Sequence, residues 1–185
     1  MFFKKKIDQK FYPFMPIELD LRRFFPRNDL KNLSCLMVGA GSGFSALARQ
    51  MPYLPWGRLD YLDVHEPYLD QAKCEFYEAE NVGFLLGDIR TFDTSGYDYV
   101  FMFDILEHLP KEDSLAVMDK IKCKQIIFIP LEKEFRPNVY GAKSQDHLSL
   151  WTEEDFKNRG YKTEVLTNFH QEGGRIFSAL WAIKK

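Results

Sequence analysis

Apolar runs alternate with segments of helical periodicity along most of the chain, and the two patterns together predict an α/β fold. Short apolar runs without polar alternation are typical of strands that are buried on both faces of a sheet. Between these runs, apolar residues recur at spacings near three and four, which indicates helices packed on that sheet. The predicted strands are residues 35–40, 58–64, 82–86, 97–104, 125–130, 161–167 and 175–183, and the predicted helices are 44–51, 67–80, 112–121 and a short one from Thr152 that ends at Gly160.

The connections between these elements predict how the strands pair. Helices join the early strands, as parallel neighbours require, although only a short link precedes the strand at 97–104. The last two strands are separated only by the polar, glycine-containing residues 168–174. We therefore expect a doubly wound sheet of seven strands, mainly parallel, with an antiparallel C-terminal hairpin. The most apolar runs, 35–40, 97–104 and 125–130, should lie at its centre.

The chain of 185 residues is expected to form one domain, with an N-terminal arm at 1–33 and a core at 34–185. The arm is rich in aromatic and basic residues, and its prolines exclude a long helix. Three interpretations of the arm are open. It packs over the core, it forms a flap over a substrate pocket, or it attaches to a membrane surface or an acidic partner.

Composition narrows the class of protein. Lys and Arg number 25 against 27 Asp and Glu, a balance that does not predict a nucleic-acid partner. The three cysteines form no CxxC pair, so neither a disulfide framework nor a zinc site is indicated, and a reducing, cytoplasmic location is expected. Because no run approaches the roughly 18 apolar residues of a membrane span, no membrane partner is expected.

The first predicted strand runs into three glycines at alternate positions, Gly39, Gly41 and Gly43, directly before a predicted helix. Glycine adopts positive φ and lets a ligand approach the backbone closely. The unpaired N–H groups at a helix N-terminus favour an anion. The motif predicts a nucleotide-cofactor site, with a plain tight turn as the alternative.

Acidic residues stand at or just after the carboxyl ends of three further strands, namely Asp63, Asp88 and Asp104. In open α/β sheets, ligands bind outside the carboxyl ends of the strands, where the strand order reverses. Four separate strands thus bring polar groups to one edge of the sheet. This convergence predicts a binding site more firmly than any single motif.

Taken in order, these motifs resemble those of the class I S-adenosylmethionine-dependent methyltransferases, small-molecule members especially. The resemblance covers about residues 34–183 and implies a Rossmann-like fold, S-adenosylmethionine as cofactor, S-adenosylhomocysteine as product, and methyl transfer to an acceptor. The matching segments are 38–43 for the first motif, 63–73 for the ribose-binding acid and its helix, 86–89 for the adenine contact, 97–109 for the fourth strand, and 147–152 with the closing hairpin.

The resemblance also implies roles for single residues. Asp63 would accept hydrogen bonds from the ribose hydroxyls, and Asp88 would accept one from the adenine amino group while Ile89 packs on the ring. Asp104 would line the cofactor or acceptor pocket. Structural alternatives remain for two of them, an N-cap for Asp63 and an Asx turn for Asp88. The complete set of expected cofactor residues is Gly39, Ala40, Gly41, Gly43, Asp63, Val64, Asp88, Ile89 and Asp104.

The chain departs from the family pattern just before the first glycine. The family usually carries an acid there, whereas this chain has Leu36 and Met37. Contact with the amino group of the cofactor must therefore come from elsewhere, either a backbone carbonyl or an N-terminal residue.

Two histidines are the candidates for a catalytic base, should the acceptor be a hydroxyl. His108 follows the fourth strand and His147 precedes Trp151, and an ordinary histidine pKa near 6.5 suits proton transfer at neutral pH. Packing against the next helix is the alternative for His108, and a loop-anchoring hydrogen bond is the alternative for His147. No His, Asp or Glu cluster has clear metal-ligand spacing, so no metal is expected.

These observations favour a methyltransferase acting on a small molecule, such as a sugar-like or hydroxylated metabolite. No NPPY-like segment ends the fourth strand, which argues against methylation of nucleic-acid amino groups. One alternative is a non-catalytic module that binds S-adenosylmethionine. Another is an NAD-dependent oxidoreductase, which the glycine spacing disfavours because Phe44 replaces the last glycine of GxGxxG. A homodimer is compatible with this prediction.

Overall fold

The computed structural model of the chain describes residues 21–25, 30–41, 47–76, 80–135, 145–172 and 175–185. Within them, seven strands form one sheet in the order β3-β2-β1-β4-β5-β7-β6. Pairing is parallel from β3 through β5, whereas β7 is antiparallel to both β5 and β6. The predicted fold is confirmed. The strands are β1 (Ser34–Val38), β2 (Arg58–Asp63), β3 (Val82–Leu86), β4 (Tyr99–Phe103), β5 (Lys124–Leu131), β6 (Lys162–Glu172) and β7 (Arg175–Lys184).

Three α-helices lie in the described residues, α1 (Glu66–Phe76), α2 (Lys111–Lys120) and α3 (Glu153–Lys157). The helix predicted at 44–51 differs, because Ala48–Tyr53 forms a short 3-10 helix and residues 42–46 lie outside the described part of the chain. Pro52 lies inside this turn. Proline lacks an N–H donor and disfavours the α conformation of the residue before it, so only a short helix forms.

The centre of the sheet is buried on both faces. Leu36 and Met37 are consecutive in β1 and fully buried, yet they belong to two different hydrophobic clusters, one on each face. β1, β4 and β5 occupy the three middle positions of the sheet, as their apolar runs predict. The loops that follow β1 and β4 are thereby held on a rigid frame.

The described part of the N-terminal arm packs over the core. Leu21, Phe25 and Leu30 are buried, and the Phe25 ring meets those of Trp56 and Tyr99 at centroid distances of 5.3 and 5.5 Å. The first of the three interpretations therefore holds for residues 21–25 and 30–33. Residues 1–20 and 26–29 lie outside the described part of the chain. None of the helices in the described ranges has the length and apolar character needed to cross a bilayer.

The last third of the chain follows its sequence signals closely. Thr152 caps α3 through a capping box with Asp155, and Gly160 has a φ of 80° at the turn that ends this segment. The C-terminal hairpin is antiparallel as predicted. Its first strand is longer than expected, because β6 continues to Glu172 after a register shift between Leu166 and His170.

Candidate active site

The glycine turn after β1 needs glycine for two separate reasons. Gly39 and Gly41 have φ values of 82° and 61°, a region that side chains disfavour. A Cβ atom on Gly39 would also lie 2.2 Å from Cδ1 of Ile105, which follows β4. The turn is therefore packed directly against the loop after β4. Gly43, the third glycine of the motif, lies outside the described residues.

Asp63, at the carboxyl end of β2, joins the glycine turn to the start of α1. Its Oδ2 accepts hydrogen bonds from the N–H groups of Ala40 (2.9 Å) and Gly41 (3.2 Å), and its Oδ1 accepts one from His65 N–H (2.8 Å). Burial raises the pKa of Asp63, and the three N–H donors partly offset that effect. A carboxylate has about four acceptor positions. Backbone N–H groups of the chain itself thus occupy three of these positions.

Asp88 forms the Asx turn that was the structural alternative for it, and it also pairs with Arg90. Its Oδ1 accepts from the Arg90 N–H (2.9 Å), and its Oδ2 lies 2.6 Å from Nη2 of the Arg90 guanidinium. This pairing lowers the pKa of Asp88. The Arg90 guanidinium also pairs with Asp113 at the start of α2, where its Nη1 donates to Oδ2 at 3.1 Å. The carboxylate is therefore ionised and oriented at the rim.

Lys120 supports the link after β3, where no helix forms. Its Nζ donates to the carbonyl oxygens of Ile89 (2.8 Å), Arg90 (3.1 Å) and Phe92 (2.9 Å). One ammonium group thus satisfies three carbonyls that a helix would otherwise have paired. Nothing in the local sequence around Asp88 predicted this contribution from α2.

Apolar surface is exposed beside Asp63. Val64 is 63% exposed and Leu86, the strand partner of Asp63, is 60% exposed. Ile89 is only 5% exposed and belongs to the hydrophobic core. The apolar surface available to a flat ring here thus belongs mainly to Val64 and Leu86, rather than to Ile89 as expected. Leu86 was missed because it reads simply as the last residue of a strand.

Asp104 directly follows the last residue of β4. It has a φ of 50°, which aspartate tolerates better than most residues, and its N–H donates to Phe128 O at 3.0 Å. Asp104 is exposed to solvent, although many protein atoms surround its carboxylate. The resulting desolvation raises the pKa of Asp104 to about 6, with His147 opposing the rise and Glu132 adding to it.

Two distant segments meet beyond Asp104 through backbone hydrogen bonds. Glu107 O accepts from the N–H groups of Leu148 (2.6 Å) and Ser149 (3.1 Å). Leu106 O accepts from the hydroxyls of Ser149 (3.0 Å) and Ser114 (2.7 Å). The segment that carries His147 is therefore fixed on the turn that carries His108.

Lys111 reinforces this junction from the first turn of α2. Its Nζ donates to Leu150 O (2.7 Å) and to Oδ2 of Asp155 (2.8 Å), and it lies 3.6 Å from the centroid of the Trp151 ring. A cation over the face of an indole is attracted by the negative charge of the ring face. The position of residues 147–151 thus depends on a lysine from another element.

The two predicted catalytic histidines lie side by side. The ring centroids of His108 and His147 are 4.9 Å apart and their planes are nearly perpendicular. Nδ1 of His147 is hydrogen-bonded to Oε2 of Glu132, with side chains only 9% and 4% exposed, and Nδ1 of His108 lies 3.2 Å from Asp146 O. Burial lowers the pKa of His108, which keeps that ring neutral. Glu132 was missed because it follows β5 without a recognisable motif.

Glu107 is the most unusual member of this group. It is 1% exposed, and neither carboxylate oxygen is hydrogen-bonded to another residue in the described part of the chain. Burial raises the pKa of Glu107 well above the usual range, and the charge of Asp104 adds to that effect. One ligand atom from each of Glu107, His108 and His147 lies within 4.8 Å of the other two. We call these three residues the Glu–His–His cluster.

The apolar residues before Gly39 leave no place for the missing acid. Met37 is fully buried in the core, so an acid at that position would face apolar side chains. Of the two alternative contacts for the amino group of the cofactor, an N-terminal residue before position 21 would lie outside the described residues. A backbone carbonyl of the glycine turn is the other.

Comparison with known proteins agrees with this geometry. The family model of the methyltransferase domain matches residues 35–123, which run from β1 to the end of the α2 segment. No curated protein sequence matches the chain significantly.

Solved structures of methyltransferases share the fold at low sequence identity. The DhpI–SAM–HEP complex has a TM-score of 0.60 and 15% identity, over 96% of this chain and 88% of that chain. Magnesium protoporphyrin IX methyltransferase (ChlM) from Synechocystis PCC 6803 with bound SAH has a TM-score of 0.56 and 17% identity, over 83% and 75% of the two chains. The CurJ carbon methyltransferase has a TM-score of 0.59 and 15% identity; 88% of this chain matches it but spans only 50% of its length.

The family model and the solved structures both confirm the resemblance that the motifs indicate. Residues 35–123 match the methyltransferase domain, and the sheet has the Rossmann-like fold of the class I S-adenosylmethionine-dependent methyltransferases.

Proposed function

We propose that this protein transfers a methyl group from S-adenosylmethionine to a hydroxyl of a small molecule. One observation carries the proposal. The glycine turn with Asp63 and the histidine pair with Glu107 lie on the same rim, on either side of the boundary between β1 and β4. β1 and β4 are adjacent in the sheet, and the strand order reverses there, which opens the crevice in which ligands of such folds bind.

The residues of the first half of the rim fit the cofactor. S-adenosylmethionine would supply a methyl group that is already activated by its sulfonium. The turn at Gly39 and Gly41 allows close approach of the methionine part to the backbone. The remaining acceptor position of Asp63 binds a ribose hydroxyl, and Val64 and Leu86 offer apolar surface to the adenine ring.

The second half of the rim fits the acceptor. His108 and His147 are aligned by acceptors at their Nδ1 atoms, and neither Nε2 atom has a hydrogen-bond partner among the described residues. This pair of histidines, placed beside the acceptor hydroxyl, would ease removal of its proton, an effect worth about 10²- to 10⁴-fold in rate. Positioning of the acceptor oxygen in line with the methyl group contributes more.

Calorimetric titration with S-adenosylmethionine, S-adenosylhomocysteine and NAD tests the cofactor. We expect binding of the first two and none of NAD. Release of S-adenosylhomocysteine over a panel of hydroxylated acceptors then tests the reaction. Failure to bind S-adenosylmethionine would overturn the proposal. Binding without turnover on any acceptor would instead support a non-catalytic binding module.

A further inference from the structure

We propose that the Glu–His–His cluster binds a divalent first-row transition-metal ion. The cluster lies on the acceptor side of the rim, where Glu107 and His108 follow β4 and His147 comes from the segment before α3. Spacing along the chain did not predict it, because the third residue comes from a distant segment.

The buried carboxylate of Glu107 is the first observation. Its side chain is 1% exposed and lacks a hydrogen-bond donor from any other described residue. A buried polar group without a partner costs free energy, and a buried charge costs more unless it is paired or coordinates a metal. Nδ1 of each neighbouring histidine is already engaged with Asp146 O or with Glu132, so neither Nδ1 atom satisfies this carboxylate. A bound cation would satisfy it.

The orientation of the two imidazole rings is the second, independent observation. Asp146 O can only accept a hydrogen bond, so Nδ1 of His108 carries the proton and Nε2 carries a lone pair. Oε2 of Glu132 is likewise the partner of Nδ1 of His147. Histidines that ligate metals usually donate their other ring N–H to a carbonyl or carboxylate in this way. Both rings thus have the tautomer that a metal ligand requires.

The distances and the donor set indicate the class of ion. Bonds of about 2.1 Å hold ligand atoms within about 4.2 Å of one another, so the 4.8 Å spread needs only a small contraction. Two imidazoles and one carboxylate suit Zn²⁺, Fe²⁺ or Mn²⁺ better than Ca²⁺, which prefers oxygen ligands. Three protein ligands leave a coordination position open, as in catalytic zinc sites. That an acceptor oxygen takes this position rests on the proposed function, whereas metal binding itself does not.

The experiment uses the full chain after treatment with a chelator, in the absence of S-adenosylmethionine. ZnCl₂ and MnCl₂ are titrated by calorimetry, and the electron paramagnetic resonance of Mn²⁺ reports directly on its ligands. Glu107→Gln and His147→Gln remove one ligand each at nearly constant shape. His65→Gln is the matched control, because His65 lies on the same rim but outside the cluster. Glu132→Gln changes the partner that orients His147 and leaves the three ligands in place.

We expect one bound ion per chain in the wild type and in His65→Gln. Affinity should fall at least about tenfold in Glu107→Gln and His147→Gln, and about 10- to 100-fold in Glu132→Gln. S-adenosylmethionine affinity, measured separately, should be unchanged in Glu107→Gln, His147→Gln and Glu132→Gln, which also shows that they fold. No binding by the wild type, or equal binding by the ligand variants, would overturn the proposal. If the wild type binds the metal ion but not S-adenosylmethionine, the proposed function alone would be overturned.

Discussion

The two halves of the rim are built in opposite ways. On the cofactor side, each carboxylate finds donors close by. Asp63 is held by the N–H groups of two adjacent turns, and Asp88 is paired with Arg90 two residues away. On the acceptor side, the groups come from distant segments after β4, after β5 and before α3, and Glu107 is left without a donor from another described residue.

The protein itself thus supplies hydrogen-bond donors to Asp63 and Asp88 on the cofactor side, whereas Glu107 on the acceptor side receives none from another described residue. In the described residues, the cofactor side owes its shape to local hydrogen bonds and to two glycines with positive φ. In the described residues of the acceptor side, hydrogen bonds hold the backbone, but the carboxylate oxygens of Glu107 are left to be satisfied. Mutations on the two sides should therefore have separable effects, on cofactor affinity and on turnover respectively.

The largest effect is expected for His147→Ala. Removal of this ring should lower kcat about 10²- to 10⁴-fold, because proton removal from the acceptor loses its support. The affinity for S-adenosylmethionine should be unchanged, since His147 lies on the other half of the rim. Steady-state kinetics together with calorimetry measure both quantities. A variant that loses cofactor affinity in proportion to turnover would contradict the separation of the two halves.

Asp63→Ala should have the largest effect on the cofactor side. Loss of a charge-assisted hydrogen bond of about 1.5–3 kcal/mol predicts binding of S-adenosylmethionine weakened roughly 10- to 150-fold. Asp88→Ala is the matched comparison and should weaken binding less, because the Asp88 side chain is 29% exposed and paired with Arg90. Calorimetric titration of both variants measures the difference. Equal losses would show that the hydrogen bonds of Asp63 to the glycine turn do not matter for the cofactor.

The glycine turn offers a test of the contact between the two halves. Gly39→Ala and Gly41→Ala each force alanine into positive φ, at about 1–2 kcal/mol of stability. Gly39→Ala should cost more, because its Cβ atom would collide with Ile105, whereas a Cβ on Gly41 meets nothing within 4 Å. Urea unfolding measures both. The double variant Gly39→Ala with Ile105→Val should recover part of the difference, since valine lacks the colliding atom.

The smallest effect concerns the anchor of the acceptor side at Asp155. Burial would raise the pKa of this carboxyl, but hydrogen bonds from Lys111 and Thr152 outweigh it and lower the pKa. The stabilisation is therefore present above the unfolded pKa of about 3.9 and is lost as the pH falls through the lower folded pKa. Asp155→Asn should cost about 1 kcal/mol at pH 7. Urea unfolding from pH 7 to pH 2 should show this difference shrinking, and a constant difference would contradict the assignment.

Much of the cofactor side could be predicted because its signals are local. Gly39 and Gly41 adopt the positive φ that their motif indicates, and Asp63 and Asp88 stand at the strand ends where the pattern placed them. The sequence did not predict which groups of the protein would occupy the carboxylate oxygens of these two residues. The sequence near Asp63 does not reveal that the turn after another strand would use its acceptor positions.

The acceptor side could be predicted only in part. His108 and His147 were recognised singly, from position and residue type. Their contact, the pairing of His147 with Glu132 and the burial of Glu107 all depend on backbone hydrogen bonds between Glu107 and residues 148–149. Likewise, Lys111 and Lys120 are ordinary surface residues in a helical pattern until their carbonyl partners are known.

The sequence by itself determined the strands, the helices α1 to α3 and the hairpin, and it predicted the edge of the sheet at which a ligand would bind. These features follow from hydrophobic periodicity, capping residues and the conformational freedom of glycine, all of which act over a few residues. Only the tertiary structure decided which polar groups are satisfied and which remain for a ligand. Hydrogen-bond satisfaction and burial depend on segments that meet in space, and Glu107 acquires its character only where β4, β5 and the segment before α3 converge.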